Sequence, residues 1–237
     1  MFVRNRLSAG HQRAFTLTEI SVVLSITGLI FFLTFKNYAY ENTTNKLNQG
    51  SDILSQISNN VRTYYSGQNT SFSSLNQARP LQPAPLSVSG TNTRTPPLPA
   101  PNDFCFYTGL LANQNIFPSS ILNAGVADNP WSPAAMSCAG AGIIGSLQVA
   151  LASTAGASPV LLVVRYTNLS ADVCSQIVPK TSLPGTDTGL MLIAVNGTEV
   201  GDSAAGTLPI PPGGAVTACN NPVYPLNIVD WYYQLGG

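Results

Sequence analysis

Residues 13–36 read RAFTLTEISVVLSITGLIFFLTFK, and from Phe15 to Phe35 the only ionisable side chain is Glu19. At about 1.5 Å of rise per residue, a helix over this stretch covers roughly the 30 Å hydrocarbon core of a bilayer. Ahead of it lie Arg4, Arg6, His11 and Arg13, and no acid. Basic flanks stay on the cytoplasmic side, which places the N-terminus inside and the bulk of the chain outside. A secretory signal peptide would have a shorter apolar stretch and then a small-residue cleavage site. Here FKNYAYENTTNKL follows, polar and helix-compatible. A plain membrane anchor leaves Glu19 unexplained, because a carboxylate in a membrane helix costs up to about 3 kcal/mol and usually has a partner.

The helical pattern continues past Lys36. Leu47, Gly50, Leu54, Ile57, Val61 and Tyr64 recur at spacings of three and four, an amphipathic stripe. No proline occurs before Pro80. One helix over residues 15–65 is therefore expected, about 75 Å long. Its first half, residues 15–35, is apolar all round and needs lipid or neighbouring helices. Its second half needs a globular head to cover one face. Gly28, beside Ser25 and Thr27, makes a small patch where helices can approach closely. Gly50-Ser51 is expected to loosen the helix, since glycine costs it about 1 kcal/mol.

A cut between Ala14 and Phe15 would give Phe15 a new α-amine, with Glu19 four residues on along the same helix face. Amine and carboxylate could then neutralise each other within a chain or between chains. The run Ala14-Phe15-Thr16-Leu17-Thr18-Glu19-Ile20, between a basic leader and an apolar helix, resembles the processing site of type IV pilins and type II secretion pseudopilins. The resemblance implies that residues 1–14 are a leader and that a prepilin peptidase cuts after Ala14. It also implies N-methylation of Phe15 and a part for Glu19 in docking into a growing filament. The implied partners are other pilin subunits, the inner-membrane assembly platform, and membrane lipid before assembly. The chain would cross the inner membrane once, N-terminus cytoplasmic, and end in an extracellular filament. The sequence departs from the pattern at Ala14, where glycine is usual, and at Thr18, where an aliphatic is common. The likeness here covers only the first quarter of the chain.

In 237 residues, 44% are hydrophobic and only 8% charged, against a usual quarter charged. Ser, Thr, Asn and Gln supply the polarity, which suits a protein packed against copies of itself. The formal net charge of zero leaves no electrostatic footprint for nucleic acid. Loss of residues 1–14 would remove three of the ten basic residues and make the rest mildly acidic. Cys105, Cys138, Cys174 and Cys219 all fall on the outer side, where an even count reads as two disulfides. Three connectivities are possible. Pairing by proximity joins Cys105 to Cys138 and Cys174 to Cys219. No C-x-x-C occurs, and the single histidine lies in the leader, so neither a zinc site nor any other cofactor is expected.

The fold class expected is α+β, a long N-terminal helix packed on an antiparallel β-sheet head formed by residues 66–237. Residues 66–103 read as a connector, with seven prolines from Pro80 to Pro101. Strands are expected at FCFYT (104–108), IIGSLQVAL (143–151), PVLLVVRY (159–166), GLMLIAV (189–195) and NIVDWYYQL (227–235). Asn129-Pro130-Trp131-Ser132-Pro133 is a turn cluster within a loop-rich stretch. Ser170 caps a short helix with Asp172 in its first turn and Ala171, Cys174, Ile177 and Val178 facing inward, and Pro179 ends it soon after. Asn196-Gly197 is a hairpin turn into TEV. Pro209, Pro211, Pro212, Gly213 and Gly214 form a loop that delivers Cys219.

A short helix carrying a cysteine, a strand ending in VNGT, a loop returning a second cysteine and an aromatic terminal strand are similar to the C-terminal region of type IVb pilins. That likeness implies a Cys174–Cys219 disulfide, whose loop closure would contribute roughly 4 kcal/mol in the chain-entropy model. The fourteen-residue leader agrees with the same subclass; phenylalanine in the first mature position does not.

No catalytic set emerges. There is no Ser-His-Asp arrangement, no G-x-S-x-G and no phosphate-binding glycine loop, and the carboxylates are scattered. Asp187 and Asp202 lie in loops and read as solvated acids rather than a calcium site. Glycosylation patterns at Asn42, Asn69, Asn168 and Asn196 carry little weight in the bacterial source that the pilin resemblance implies. Trp131 and Trp231 read as core or subunit contacts rather than a binding face. The expected function is a pilus subunit serving adhesion, aggregation, motility or conjugation. The alternatives are a minor pilin or pseudopilin, and a membrane-anchored adhesin or binding module that never polymerises.

Overall fold

The computed structural model describes residues 16–67, 101–114, 116–123, 126–133, 136–138, 142–153, 160–183 and 189–235. The leader, the Ala14–Phe15 junction, Asp187 and the prolines from Pro80 to Pro99 lie outside them. The chain divides into two compact units at Thr44/Asn45. One helix, α1 (Leu17–Gly67), contributes its first part to one unit and its second part to the other.

From Leu17 to Phe35, in the first unit, large apolar side chains face every direction. Leu17, Ile20, Val23, Leu24, Ile26, Leu29 and Phe31 are all at least half exposed. This helix is long and apolar enough to cross a membrane.

The second unit is an α+β head. Its helix residues Leu47, Gly50, Leu54, Ile57 and Val61 are buried, so the three-four stripe faces inward as its spacing demands. They pack against a five-stranded antiparallel sheet built from β5 (Leu147–Ser153), β6 (Val160–Leu169), β7 (Leu190–Val195), β8 (Thr198–Asp202) and β9 (Asn227–Gln234). The order is β5-β6-β9-β7-β8, with the C-terminal strand at the centre. Leu162, Val164 and Tyr166 of β6 pair with Tyr233, Trp231 and Val229 of β9. Alternation along the strands puts these six on one face. Tyr166 and Trp231 meet edge to face there, ring centroids 5.0 Å apart.

Gly50 does not loosen α1; it lets the helix close on the head. A Cβ at Gly50 would lie 2.3 Å from the Trp131 ring and 3.2 Å from the Ile177 methyl. The Tyr166 hydroxyl donates to the Gly50 carbonyl at 2.9 Å. Further along, Arg62 donates to the Gln234 carbonyl at 3.1 Å and Asn60 to the Ile116 carbonyl at 2.9 Å.

Two segments fold differently from the sequence expectation. FCFYT is not a strand; it lies within helix α2 (Pro101–Asn113). Phe104, Cys105, Thr108 and Leu111 are buried at helical spacing, and this inward face overrides the strand preference of the aromatics. The stretch after Pro211 is not a loop but helix α4 (Pro212–Cys219). Proline at the first helical position has a suitable φ and an N–H that would have had no partner there.

Helix α3 (Ala171–Thr181) is capped as expected, Ser170 Oγ accepting from the Val173 N–H at 3.3 Å. Pro179 does not stop it. The last turn is pinned from outside, because the Trp231 indole donates to Thr181 Oγ1 at 2.8 Å. Asn196 and Gly197 both take positive φ, 53° and 78°, which the tight hairpin between β7 and β8 requires. Disulfides join Cys105 to Cys138 and Cys174 to Cys219 with Cα separations of 5.7 and 5.8 Å. The second ties α3 to α4. The first ties α2 to a small hairpin of β3 (Met136–Cys138) and β4 (Gly142–Ile144). Two further short strands, β1 (Leu122–Asn123) and β2 (Val126–Ala127), pair with each other.

Candidate functional site

The feature of the first unit with a chemical identity of its own is the start of α1. Glu19 Oε2 accepts from the Thr16 main-chain N–H at 2.8 Å and from the Thr16 hydroxyl at 2.9 Å. In return Thr16 Oγ1 accepts from the Glu19 N–H at 3.3 Å. This is a reciprocal capping box, which satisfies two main-chain donors that a helix start leaves open. Its signature, threonine followed three residues later by glutamate, is readable in the sequence, and it gives Glu19 partners other than the Phe15 amine expected from the cut. Phe15 and Ala14 are outside the described residues.

Beyond Glu19 three hydroxyls bond back to the helix that carries them. Ser25 Oγ donates to the Ser21 carbonyl at 2.8 Å and Thr27 Oγ1 to the Val23 carbonyl at 2.7 Å. The Thr34 hydroxyl donates to the Ile30 carbonyl in the same way. Hydroxyls bonded back to their own helix present little unpaired polarity outward. Around Gly28 nothing approaches a notional Cβ within 4 Å, so the small patch is open to another helix. Such a surface can take lipid or other helices.

Among the described residues of the head, the charges held closest together are Arg165 and Asp230. Arg165 and Asp230 are register partners on β6 and β9. They bond twice, Nε to Oδ1 at 2.7 Å and Nη2 to Oδ2 at 3.0 Å. The guanidinium also lies 4.0 Å over the Phe104 ring. Burial raises the Asp230 carboxyl above the usual carboxylate range, outweighing the opposite pull of Arg165. Burial likewise raises the phenols of Tyr166 and Tyr232, and the Asp230 charge adds to the effect on Tyr232. Bonded twice across paired strands, Arg165 and Asp230 form a cross-strand tie.

A cavity of about 250 Å³ is lined by Gln49, Ile121, Asp128, Asn129 and Pro130, among others. Its polar side chains serve the fold. Asp128 Oδ1 accepts from the Ser146 N–H at 3.0 Å. Asn129 donates to the Thr167 carbonyl at 2.9 Å and accepts from the Trp131 and Ser132 N–H groups, each at 3.0 Å. The turn cluster thereby sets Trp131 against α1. Trp231 is fully buried. Asp202 Oδ1 accepts from the Ala204 N–H at 2.7 Å. Asn196 binds the Asn227 side chain at 2.8 Å. Among the described residues, no three His, Cys, Asp or Glu side chains gather where they could hold a metal.

No family model, no curated protein and no solved structure matches this chain.

Proposed function

We propose that the chain is a structural subunit of a type IV pilus, IVb-like, cut by a prepilin peptidase between Ala14 and Phe15 and methylated on Phe15. The observation that carries this reading is the two-part character of α1. An apolar segment with its hydroxyls turned inward continues, in one helix, into a stripe buried under an antiparallel, disulfide-bonded head. Such a segment can be held in the inner membrane and then be exchanged from lipid to the flanks of neighbouring copies, since both surroundings are apolar. In this reading Glu19 meets the amine of Phe15 on its own or a neighbouring chain, and the filament displays the head.

The capping box favours a second reading. Glu19 already has partners within its own chain at 2.8 and 2.9 Å, so it needs none from a neighbour. A membrane-anchored binding module that never polymerises would keep it for that reason alone.

The mass of the mature N-terminal peptide separates the two. The pilus reading expects a chain beginning at Phe15 with one added methyl group. An intact Met1 rules that reading out and leaves the anchored module; a cut beyond the apolar run removes the anchor and rules out both.

A further inference from the structure

The two edges of the sheet are protected in different ways. An edge strand exposes unpaired N–H and C=O groups that can recruit another chain, and proteins blunt it with charge, proline, bulges or shortness. On one edge, β8 is five residues long, carries Glu199 and bulges where its register with β7 shifts. At the other, β5 has the sequence LQVALAS, with no charge and no proline, in seven unbroken pairs with β6. The strand itself carries none of these protections.

We infer that α2 is a guard over the β5 edge, latched by the Cys105–Cys138 disulfide. The Thr108 hydroxyl accepts from the Val149 N–H at 2.8 Å and donates to the Val149 carbonyl at 3.2 Å. One side chain thus occupies both main-chain groups that a further strand would use at that position. Thr108 and Val149 are both buried, so water does not compete for these bonds. Phe104 and Cys105 lie one turn earlier on the same helix face. Phe104 packs under the Arg165 guanidinium, and Cys105 is bonded to Cys138.

The helix has little strength of its own. At 13 residues it is near the length where an isolated helix is marginal in water. Its position therefore depends on its anchors, of which the disulfide is the covalent one. Cys138 sits in the β3–β4 hairpin, and Gly145-Ser146 alone separate β4 from β5, so the latch closes close to the strand it protects. Without the disulfide, α2 lifts and β5 offers its free edge to a strand of a second copy.

The test is amide hydrogen exchange on the full chain in detergent. In Cys105→Ser/Cys138→Ser, exchange over 147–153 should rise at least about tenfold while the central strand 227–234 stays protected. Cys174→Ser/Cys219→Ser, which breaks the other disulfide, should leave 147–153 protected. Thr108→Val keeps the latch and removes the clip, so the Val149 amide alone should speed up by about tenfold. The inference is overturned if 147–153 keeps its protection in the first variant, or if β5 and β9 loosen there equally. It is also overturned if Val149 stays protected in Thr108→Val, a variant that remains informative should the cysteine pair fail to fold.

Discussion

Leu24 and Leu54 are the same residue in the same helix, yet the first is 67% exposed and the second 1%. Backbone conformation does not distinguish residues 17–44 of α1 from residues 45–67. What differs is where apolar side chains recur. From Leu17 to Phe35 they fall on all sides of the helix, so no rotation could hide them all. In the later part they fall every three or four residues, and one face suffices. Twelve large apolar side chains from Leu17 to Phe35 are at least half exposed. At about 1.5–3 kcal/mol for each full burial, a membrane or a set of neighbours has on the order of 20 kcal/mol to gain from them. The head has already taken its share from residues 47–61.

The sharpest way to break this contrast is to truncate the same residue in both parts. Leu54→Ala should destabilise the head by about 2–5 kcal/mol, through lost transfer energy and the cavity left behind. Leu24→Ala should leave head stability unchanged. Both tryptophans, Trp131 and Trp231, lie in the head, so their fluorescence during guanidinium unfolding in detergent follows that unit alone. Equal losses from the two variants would mean that the apolar part is coupled to the head.

The two glycines offer the next contrast. Gly50→Ala pushes a methyl into the Trp131 ring and should cost about 1–3 kcal/mol by overpacking, despite alanine being the better helix former. Gly28→Ala meets nothing in its own chain and should leave the head's unfolding midpoint where it was. If copies pack through that patch, the same variant should weaken sedimentable assemblies. A Gly50→Ala head as stable as wild type would show that Trp131 has room to move.

How far these features could be read from residues alone depended on what set them. Periodicity set the inward face of α1, and the spacing of Leu47, Leu54, Ile57 and Val61 announced it. Local turn chemistry set the Ser170 cap and the Asn196-Gly197 hairpin, which were legible for the same reason. The two misread segments, α2 and α4, both begin with a proline, Pro101 and Pro212. Taken as a mark of extended chain or loop, proline at these positions instead starts a helix. Each of these helices is then secured by a disulfide, a constraint with no local signature. The meaning of Gly50 was hidden too, because it depends on Trp131, eighty-one positions away in the chain. At Glu19 the local signal is Thr16-x-x-Glu19, a capping pattern that needs no partner from outside the helix, whereas the apolar context alone suggests an external one.

The smallest expected difference concerns one hydroxyl from each region. Tyr166→Phe deletes the bond to the Gly50 carbonyl at 2.9 Å and should cost the head about 0.5–1.5 kcal/mol. Ser25→Ala deletes a bond from a hydroxyl to its own helix, at the Ser21 carbonyl, and should change head stability by nothing measurable. The tyrosine's contribution also has a pH signature. Burial raises the folded-state pKa of Tyr166 well above 10.0. A raised pKa leaves the contribution complete below the unfolded value of about 10 and erodes it as pH climbs toward the folded one. The gap between wild type and Tyr166→Phe should therefore be constant from neutral pH to about 9 and narrow above 10. A gap that instead widens above 10 would mean that the phenol is ionised more readily in the head than in the unfolded chain, against its burial beneath Gly50.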